Sequence, residues 1–431
     1  MRKINKSIVA LMLATALVAG EARSSDDPVS VEPISERVPL AEIRRFVSVF
    51  NAVRSAHAEE VPLDRLMQGA IKGLLLDLDP HSVYLTAEQS RAFSEKASGR
   101  YEGIGVEVMV QEDQTLRVIS PIEGGPAALA GLKAGDVIIS VDGKSLSSLH
   151  GQEPLRGPAG SEVTIEVTRS GLLRPMTLRL QRQAIHLSSV RSQWVSPGYA
   201  QIRISNFQAD TLRDFKSHIE KLEQSGPLSG VVLDLRANPG GLLGAAVEVA
   251  DLLIDEGVIV STKGRLAASD TQFDASQGAL LTGVPMVVLV DAGSASASEV
   301  LAAALRDNNR ACVVGSRTFG KGSVQTVLPL DNGDSVKLTT ARYYTPAGRS
   351  IQGVGIVPDL WLHPMPGTTD AAAGMVASES SLEGHLVGEE ETGTATTAGP
   401  GEILEGERIL EQAVDYLKQL KQESCQQPEA P

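Results

Sequence analysis

The sequence predicts an α/β core, a mixed sheet with helices, interrupted by a β-rich module, preceded by a helical segment and followed by a linker and one last helix. Three observations carry this. Apolar residues recur at intervals of three and four within residues 38–98, short β-type runs separated by turn signals fill 103–182, and beyond 185 apolar strands alternate with helical patterns. With 431 residues, 42% of them hydrophobic, the chain can fill two to four units.

The N-terminus carries Arg2, Lys3 and Lys6, an apolar run from Ile8 to Ala19, and small residues at Gly20 and Ala22. That order of charge, apolar stretch and cleavage zone predicts an export signal over 1–22, too short an apolar run to span a membrane. A helical region follows over 23–98. Leu40, Ile43, Phe46, Val47 and Phe50 mark one amphipathic face, and Leu63, Leu66, Met67, Ala70, Ile71 and Leu74 a second, which Asp79-Pro80-His81-Ser82 ends. The β-rich module occupies 99–184, with strands expected at Val106–Val110, Leu116–Pro121, Val137–Val141, Val163–Thr168 and Met176–Leu180.

The α/β core spans 185–363. It has strands at Gly230–Leu235, Met286–Val290 and Cys312–Val314, and helical patterns at Ala245–Leu253 and Glu299–Arg306. Sites in such sheets lie at the carboxyl ends of strands. Residues 364–400, rich in Gly, Thr, Ala, Ser and Glu, read as a flexible linker. The tail 401–431 holds a helical stripe of Leu410, Ala413, Val414, Leu417 and Leu420, expected to dock on another subunit.

Acidic residues outnumber basic ones 53 to 39, for a formal net charge of −14, which opposes binding to nucleic acid. Polypeptide partners fit better. Only Cys312 and Cys425 are present, and the seven His show no paired spacing, so neither a metal site nor a disulfide framework is read; Cys312 is expected to be a buried small apolar residue. No cofactor is expected.

Two stretches look chemical. Gly293 to Ser298 follow an expected strand and precede a helix, where a serine can stand beside the free amides of a helix N-terminus. Lys321 lies between Gly320 and Gly322, which let another segment of chain come close. A lysine becomes a usable base only when burial lowers its pKa. Blander readings are a helix N-cap, with Ser298 as the cap, and a solvated loop charge.

Several segments, in order along 40–362, resemble the tail-specific, carboxyl-terminal processing serine peptidases. They are Leu78-Asp79-Pro80-His81-Ser82, Tyr101-Glu102-Gly103-Ile104-Gly105-Val106, Asp234-Leu235-Arg236-Ala237-Asn238-Pro239-Gly240-Gly241, Ser294-Ala295-Ser296-Ala297-Ser298-Glu299 and Thr318-Phe319-Gly320-Lys321-Gly322. Ala237 departs from the pattern, which more often has Asn. The resemblance implies an α/β peptidase core with an inserted PDZ domain, Ser296 as nucleophile, Lys321 as base, and Gln325 orienting the amine. A straight strand would hold Gln325 roughly 13 Å from Lys321, so contact requires the chain to turn.

Ala297, with Gly240 or Gly241, would supply the oxyanion amides. The loop Gly103, Ile104 and Gly105 resembles a carboxylate-binding loop, with Leu129 and Ala130 as an apolar wall and Arg156 as a link to the core. The resemblance further implies a periplasmic endopeptidase cleaving proteins with accessible C-termini. A homo-oligomer is expected, and an adaptor protein would fit the family. The competing readings are a catalytically silent PDZ scaffold and a serine hydrolase of non-peptide substrates.

Overall fold

The computed structural model describes residues 38–148, 153–363, 378–391 and 401–420. The expected signal at 1–22 lies outside them. The chain divides into two compact units between Met67 and Gln68. The first contains the helix Leu40–Ala56, whose apolar Leu40, Ile43, Phe46 and Val47 are exposed.

The second unit holds the expected α/β core. Its main sheet runs in the order Val190–Ser196, Tyr199–Ile204, Gly230–Asp234, Met286–Val290, Cys312–Gly315, Leu360–Trp361. The first pair is antiparallel and all the others are parallel. Strands buried on both faces read as continuous apolar runs, because alternate side chains feed two different cores. Val231, Leu233, Met286, Val288 and Val290 pack with residues of the helices Thr211–Ser225, Leu243–Asp251 and Ala297–Asp307. Val232, Val287, Leu289, Cys312 and Val314 face the other way, onto the C-terminal helix Glu407–Leu420.

That last contact corrects the expected subunit-docking helix. Ile409, Leu410, Ala413, Val414 and Leu417 are all buried against the chain's own sheet. Residues 401–406 bring the helix there: Arg236 donates to the carbonyls of Leu404 and Gly406, and Leu404 N–H donates to Asp291. Cys312 is buried as expected, but it is also disulfide-bonded, which the sequence reading did not foresee. The other cysteine, Cys425, lies outside the described residues.

A second, antiparallel sheet was not anticipated. It joins Val83–Leu85, Ser335–Tyr344, Val258–Gly264 and Thr271–Asp274, with Ser323–Pro329 also paired to Ser335–Tyr344. Its strands are mostly half-buried and mix Thr, Lys and Arg with apolar residues, so no clean alternation announces them. The β-rich module forms as expected, in the order Val106–Val110, Leu116–Pro121, Val137–Val141, Glu162–Thr168, Met176–Gln181 around its own core. Its entrance and exit, Arg100–Gly103 and Gln183–His186, pair with each other and make a two-stranded stem.

The expected flexible linker 364–400 also needs correction, because residues 378–391 pack on the core. Glu379 is fully buried there and Glu389 accepts a hydrogen bond from Tyr344. A composition poor in apolar residues concealed a segment held by hydrogen bonds.

Candidate active site

Ser296 caps the helix Ala297–Asp307, directly after the strand Met286–Val290 and its turn. Its backbone sits at φ 56°, ψ −117°, a conformation costly for a residue with a Cβ and one that the surrounding structure must hold in place. The flanking serines have structural partners. Ser294 Oγ donates to Leu235 O at 2.8 Å and Ser298 Oγ to Asn238 O at 2.9 Å. Ser296, rather than Ser298, is therefore the cap, with Glu299 closing a capping box and Tyr343 beside its hydroxyl.

The Gly-rich turn packs against this serine. Asn238 O accepts from Ala295 N–H, and a Cβ on Gly240 would lie 2.9 Å from Ser296 Cβ and 3.0 Å from Ala297 N, so only glycine fits. Gly240 N–H is committed to Asn238 Oδ1 at 2.9 Å. Among the described residues, the N–H groups of Ala297 and Gly241 donate to no protein acceptor. The structure thus separates two glycines that the sequence left equivalent, and leaves Gly241 with the free donor.

Lys321 meets Ser296 through a residue the sequence reading quoted but gave no role. Glu299, fully buried, accepts from Ser296 N–H at 2.7 Å, Thr318 Oγ1 at 2.5 Å, Gly320 N–H at 2.8 Å and Lys321 N–H at 2.9 Å. Burial pushes its carboxyl up to about 7, against the lowering effect of those hydrogen bonds. The signal was legible: Glu three positions after a serine cap is a capping-box residue.

Burial lowers the Lys321 amine from its ordinary value, and Lys337 lowers it further, while Glu379, Glu299 and Asp79 pull the other way. No hydrogen bond joins the amine to Ser296 Oγ. Tyr343 is also close to Ser296: burial raises its phenol to about 12, opposed by interaction with the serine. The glycines flanking Lys321 do admit a neighbouring segment, since a Cβ on Gly322 would lie 2.3 Å from Gln352 N.

Gln325 is on the strand Ser323–Pro329 at a β-bulge. Its amide donates to Ser323 Oγ at 2.9 Å and Thr339 Oγ1 at 3.5 Å, and no hydrogen bond links it to Lys321. Thr339 in turn donates to Asp79 Oδ1 at 3.0 Å, which brings the Asp79-Pro80-His81-Ser82 turn to this side of the site.

In the β-rich module, the loop Gly103, Ile104, Gly105 is buried, and the carbonyls of Ile104 and Gly105 accept from Ala127 and Ile122. Ile104 N–H is engaged by the antiparallel bridge between Gly103 and Arg156, whereas among the described residues Gly105 N–H donates to no protein acceptor. The following strand Val106–Val110 is an edge, paired only with Leu116–Pro121. Leu129 stands exposed on the short helix Pro126–Leu129, and Ala130 is half-buried. Arg156 pairs with Glu95 of the helix Ala87–Ser98 and with Glu153 at 2.7 Å, and it stacks over Tyr101, so it ties the module to the helical segment and not to the core as expected.

Comparison with known proteins agrees with this architecture. Peptidase family S41 matches residues 198–362 and the PDZ domain family matches 117–169. A carboxy-terminal-processing protease of Bartonella bacilliformis is 39% identical over 370 residues, covering 84% of this chain and 85% of that protein. The carboxy-terminal processing protease CtpA of Bacillus subtilis is 36% identical over 315 residues, covering 72% and 67%. Among solved structures, a photosystem II D1 C-terminal processing protease is 31% identical, covers 80% of this chain and 99% of its own, and superposes with a TM-score of 0.44. With a capped serine at a strand-to-helix turn, a Gly-rich turn against it and a PDZ domain on a paired stem, the chain belongs to the S41 family of carboxy-terminal processing serine proteases.

Proposed function

We propose that the protein is a periplasmic endopeptidase that selects proteins by their C-termini and cleaves them with Ser296 as nucleophile and Lys321 as general base. The observation that carries this is the single buried carboxylate of Glu299, which binds the backbone amides of both residues, at 2.7 Å and 2.9 Å. The neutral Lys321 amine takes the Ser296 proton as Oγ attacks the peptide carbonyl. The tetrahedral oxyanion lies at the free amides of Ala297 and Gly241. Lys321 then gives its proton to the leaving nitrogen as the C–N bond breaks, leaving an ester on Ser296. Water, losing its proton to Lys321, attacks that ester, and Lys321 returns the proton to Ser296 Oγ as the C–O bond breaks, freeing a new C-terminal carboxyl group.

Substrate capture follows from the module. The free amide of Gly105 suits a terminal carboxylate, and the open edge Val106–Val110 can take the peptide as an added strand. Export is supported by the N-terminal charge and apolar pattern and by the disulfide at Cys312, a bond that persists in oxidising compartments. No helix among the described residues is long and apolar enough to cross a membrane. With the C-terminal helix committed to its own core, the exposed apolar face of Leu40–Ala56 is the remaining support for a homo-oligomer.

The test is hydrolysis of an unfolded protein. Ser296→Ala and Lys321→Arg should each abolish it, because guanidinium stays charged at any usable pH. Ser294→Ala and Ser298→Ala should retain turnover with lowered stability. A fully active Lys321→Arg protein rejects the lysine base, and turnover of small esters but never of peptides reassigns the substrate.

A further inference from the structure

The segment 378–391 lies beyond the residues that match the peptidase family, yet it reaches the lysine loop. Glu379 N–H donates to Phe319 O at 2.9 Å, two residues before Lys321. The Glu379 carboxylate, fully buried, accepts from His81 Nε2 at 2.9 and 3.0 Å and from Gln352 Nε2 at 2.9 Å. Gln352 Oε1 in turn accepts Gly322 N–H at 3.0 Å, on the other side of Lys321. One residue is thereby connected to the chain both before the lysine, through its backbone N–H, and after it, through its carboxylate and Gln352.

We propose that Glu379 is a positioning residue for Lys321: it fixes the lysine loop through Phe319 and through Gln352, and with Lys337 of opposite sign it sets the charge around the amine. The proposal rests on the Ser–Lys reading above and deepens it. The groups acting on the amine are Lys337, Glu379, Glu299 and Asp79. Burial pushes Glu379 up, but hydrogen bonds from His81 and Gln352 and the nearby charges of His81 and Lys321 outweigh it, keeping the group anionic over the working range. An anion held beside a desolvated amine favours its protonated form, and a second lysine opposes it. The two charges therefore make opposite predictions, which a purely structural prop does not.

The experiment measures the protonation of Lys321 without turnover. In full-length Ser296→Ala protein, the rate of Lys321 acetylation by trace acetic anhydride is followed against pH by peptide mass spectrometry. Glu379→Gln should lower the midpoint by about 0.5–1 pH unit, Lys337→Met should raise it by a similar amount, and Glu379→Asp, which keeps the charge, should stay near the parent. In the Ser296 enzyme the acid limb of kcat/KM should move in the same directions. Circular dichroism confirms that each variant is folded, and if Glu379→Gln is not, Lys337→Met alone decides. A rise with Glu379→Gln means the segment merely covers the amine, and unmoved midpoints mean the charges do not reach it; either result overturns the proposal. Failure of the Ser–Lys reading shows separately, as proteolysis that survives Lys321→Arg.

Discussion

Ser296 sits on one continuous run of chain, the strand Met286–Val290, a turn and the helix Ala297–Asp307, braced by the single Gly-rich turn, whereas the surroundings of Lys321 are gathered from residues 79–82, 318–323, 337–339, 352 and 379. The serine side is almost wholly buried, between the main sheet and its helices. The lysine side mixes buried residues such as Asp79, Gln352 and Glu379 with the half-buried Lys321, Lys337 and Thr339, and rests on side chains that bond across long sequence separations. A serine protease needs both. On the proposed mechanism the first can be rigid because it presents a fixed nucleophile, while the second must desolvate an amine without stranding it as an unpaired charge.

Glu299 is where the two sides join, so breaking it should have the largest effect. In Glu299→Gln one acceptor oxygen is replaced by a donor, facing some of the four groups now bound. Stranding buried donors costs about 1–3 kcal/mol each, so kcat/KM should fall on the order of 10²–10³-fold. The pH behaviour gives an independent reading. A carboxyl raised in the fold to about 7 adds stability below its ordinary value of 4.5 and loses it as pH rises through about 7. Activity should move oppositely, because only the anion accepts all four bonds. Thermal melting of the parent should show this slope between pH 4.5 and 7, and Glu299→Gln should remove it.

Gly322→Ala tests the lysine side alone. Its Cβ would meet the backbone of Gln352 at 2.3 Å, so Gly322 and Gln352 must separate. Misplacement of a catalytic group by about 1 Å can cost roughly 10²-fold, and that loss in kcat is expected with the melting temperature reduced by only a few degrees. Unfolding with no folded, inactive enzyme would show that the lysine side carries more of the stability than the comparison allows.

The same contrast explains what the sequence revealed. The strands at Met286–Val290 and Gly230–Asp234 and the helix after Ser296 were visible because each is a local apolar pattern. Gln352 and Glu379 were not, because their partners lie 30 and 27 positions away and no periodicity records them, and the antiparallel sheet was not, because its strands mix polar and apolar residues without alternation. The C-terminal helix was recognised as a helix and assigned to the wrong partner, since an amphipathic stripe states what must be covered and not by what. Leu417→Ala checks the revised partner. Leu417 is fully buried and packs so tightly on Gly230 that an added Cβ there would meet it at 2.9 Å. The change should cost about 2–5 kcal/mol of stability and leave the mass in light scattering unaltered. A lower mass would return the helix to a subunit interface.

The smallest expected effect lies on the serine side, at Ala237, where the chain departs from the family pattern. Ala237 adopts φ +52°, in the left-handed region, and its N–H donates to Asp291 at 2.9 Å. Gly293 presses against it so closely that a Cβ there would fall 2.8 Å from Ala237 Cα, which leaves the backbone little room to relax. An alanine in this region is disfavoured by about 1 kcal/mol, whereas asparagine tolerates it and does not bring the unfolded-state entropy of glycine. Ala237 is exposed, so the larger side chain meets no packed core. Ala237→Asn should therefore stabilise the protein by about 0.5–1 kcal/mol, raising the melting temperature by roughly 1–3 °C, with kcat/KM unchanged. Ala237→Gly should gain less, because it relieves the same strain while loosening the unfolded chain. If Asn lowers the melting temperature, the strain at this turn is held elsewhere, and the serine side is less rigid than its burial implies.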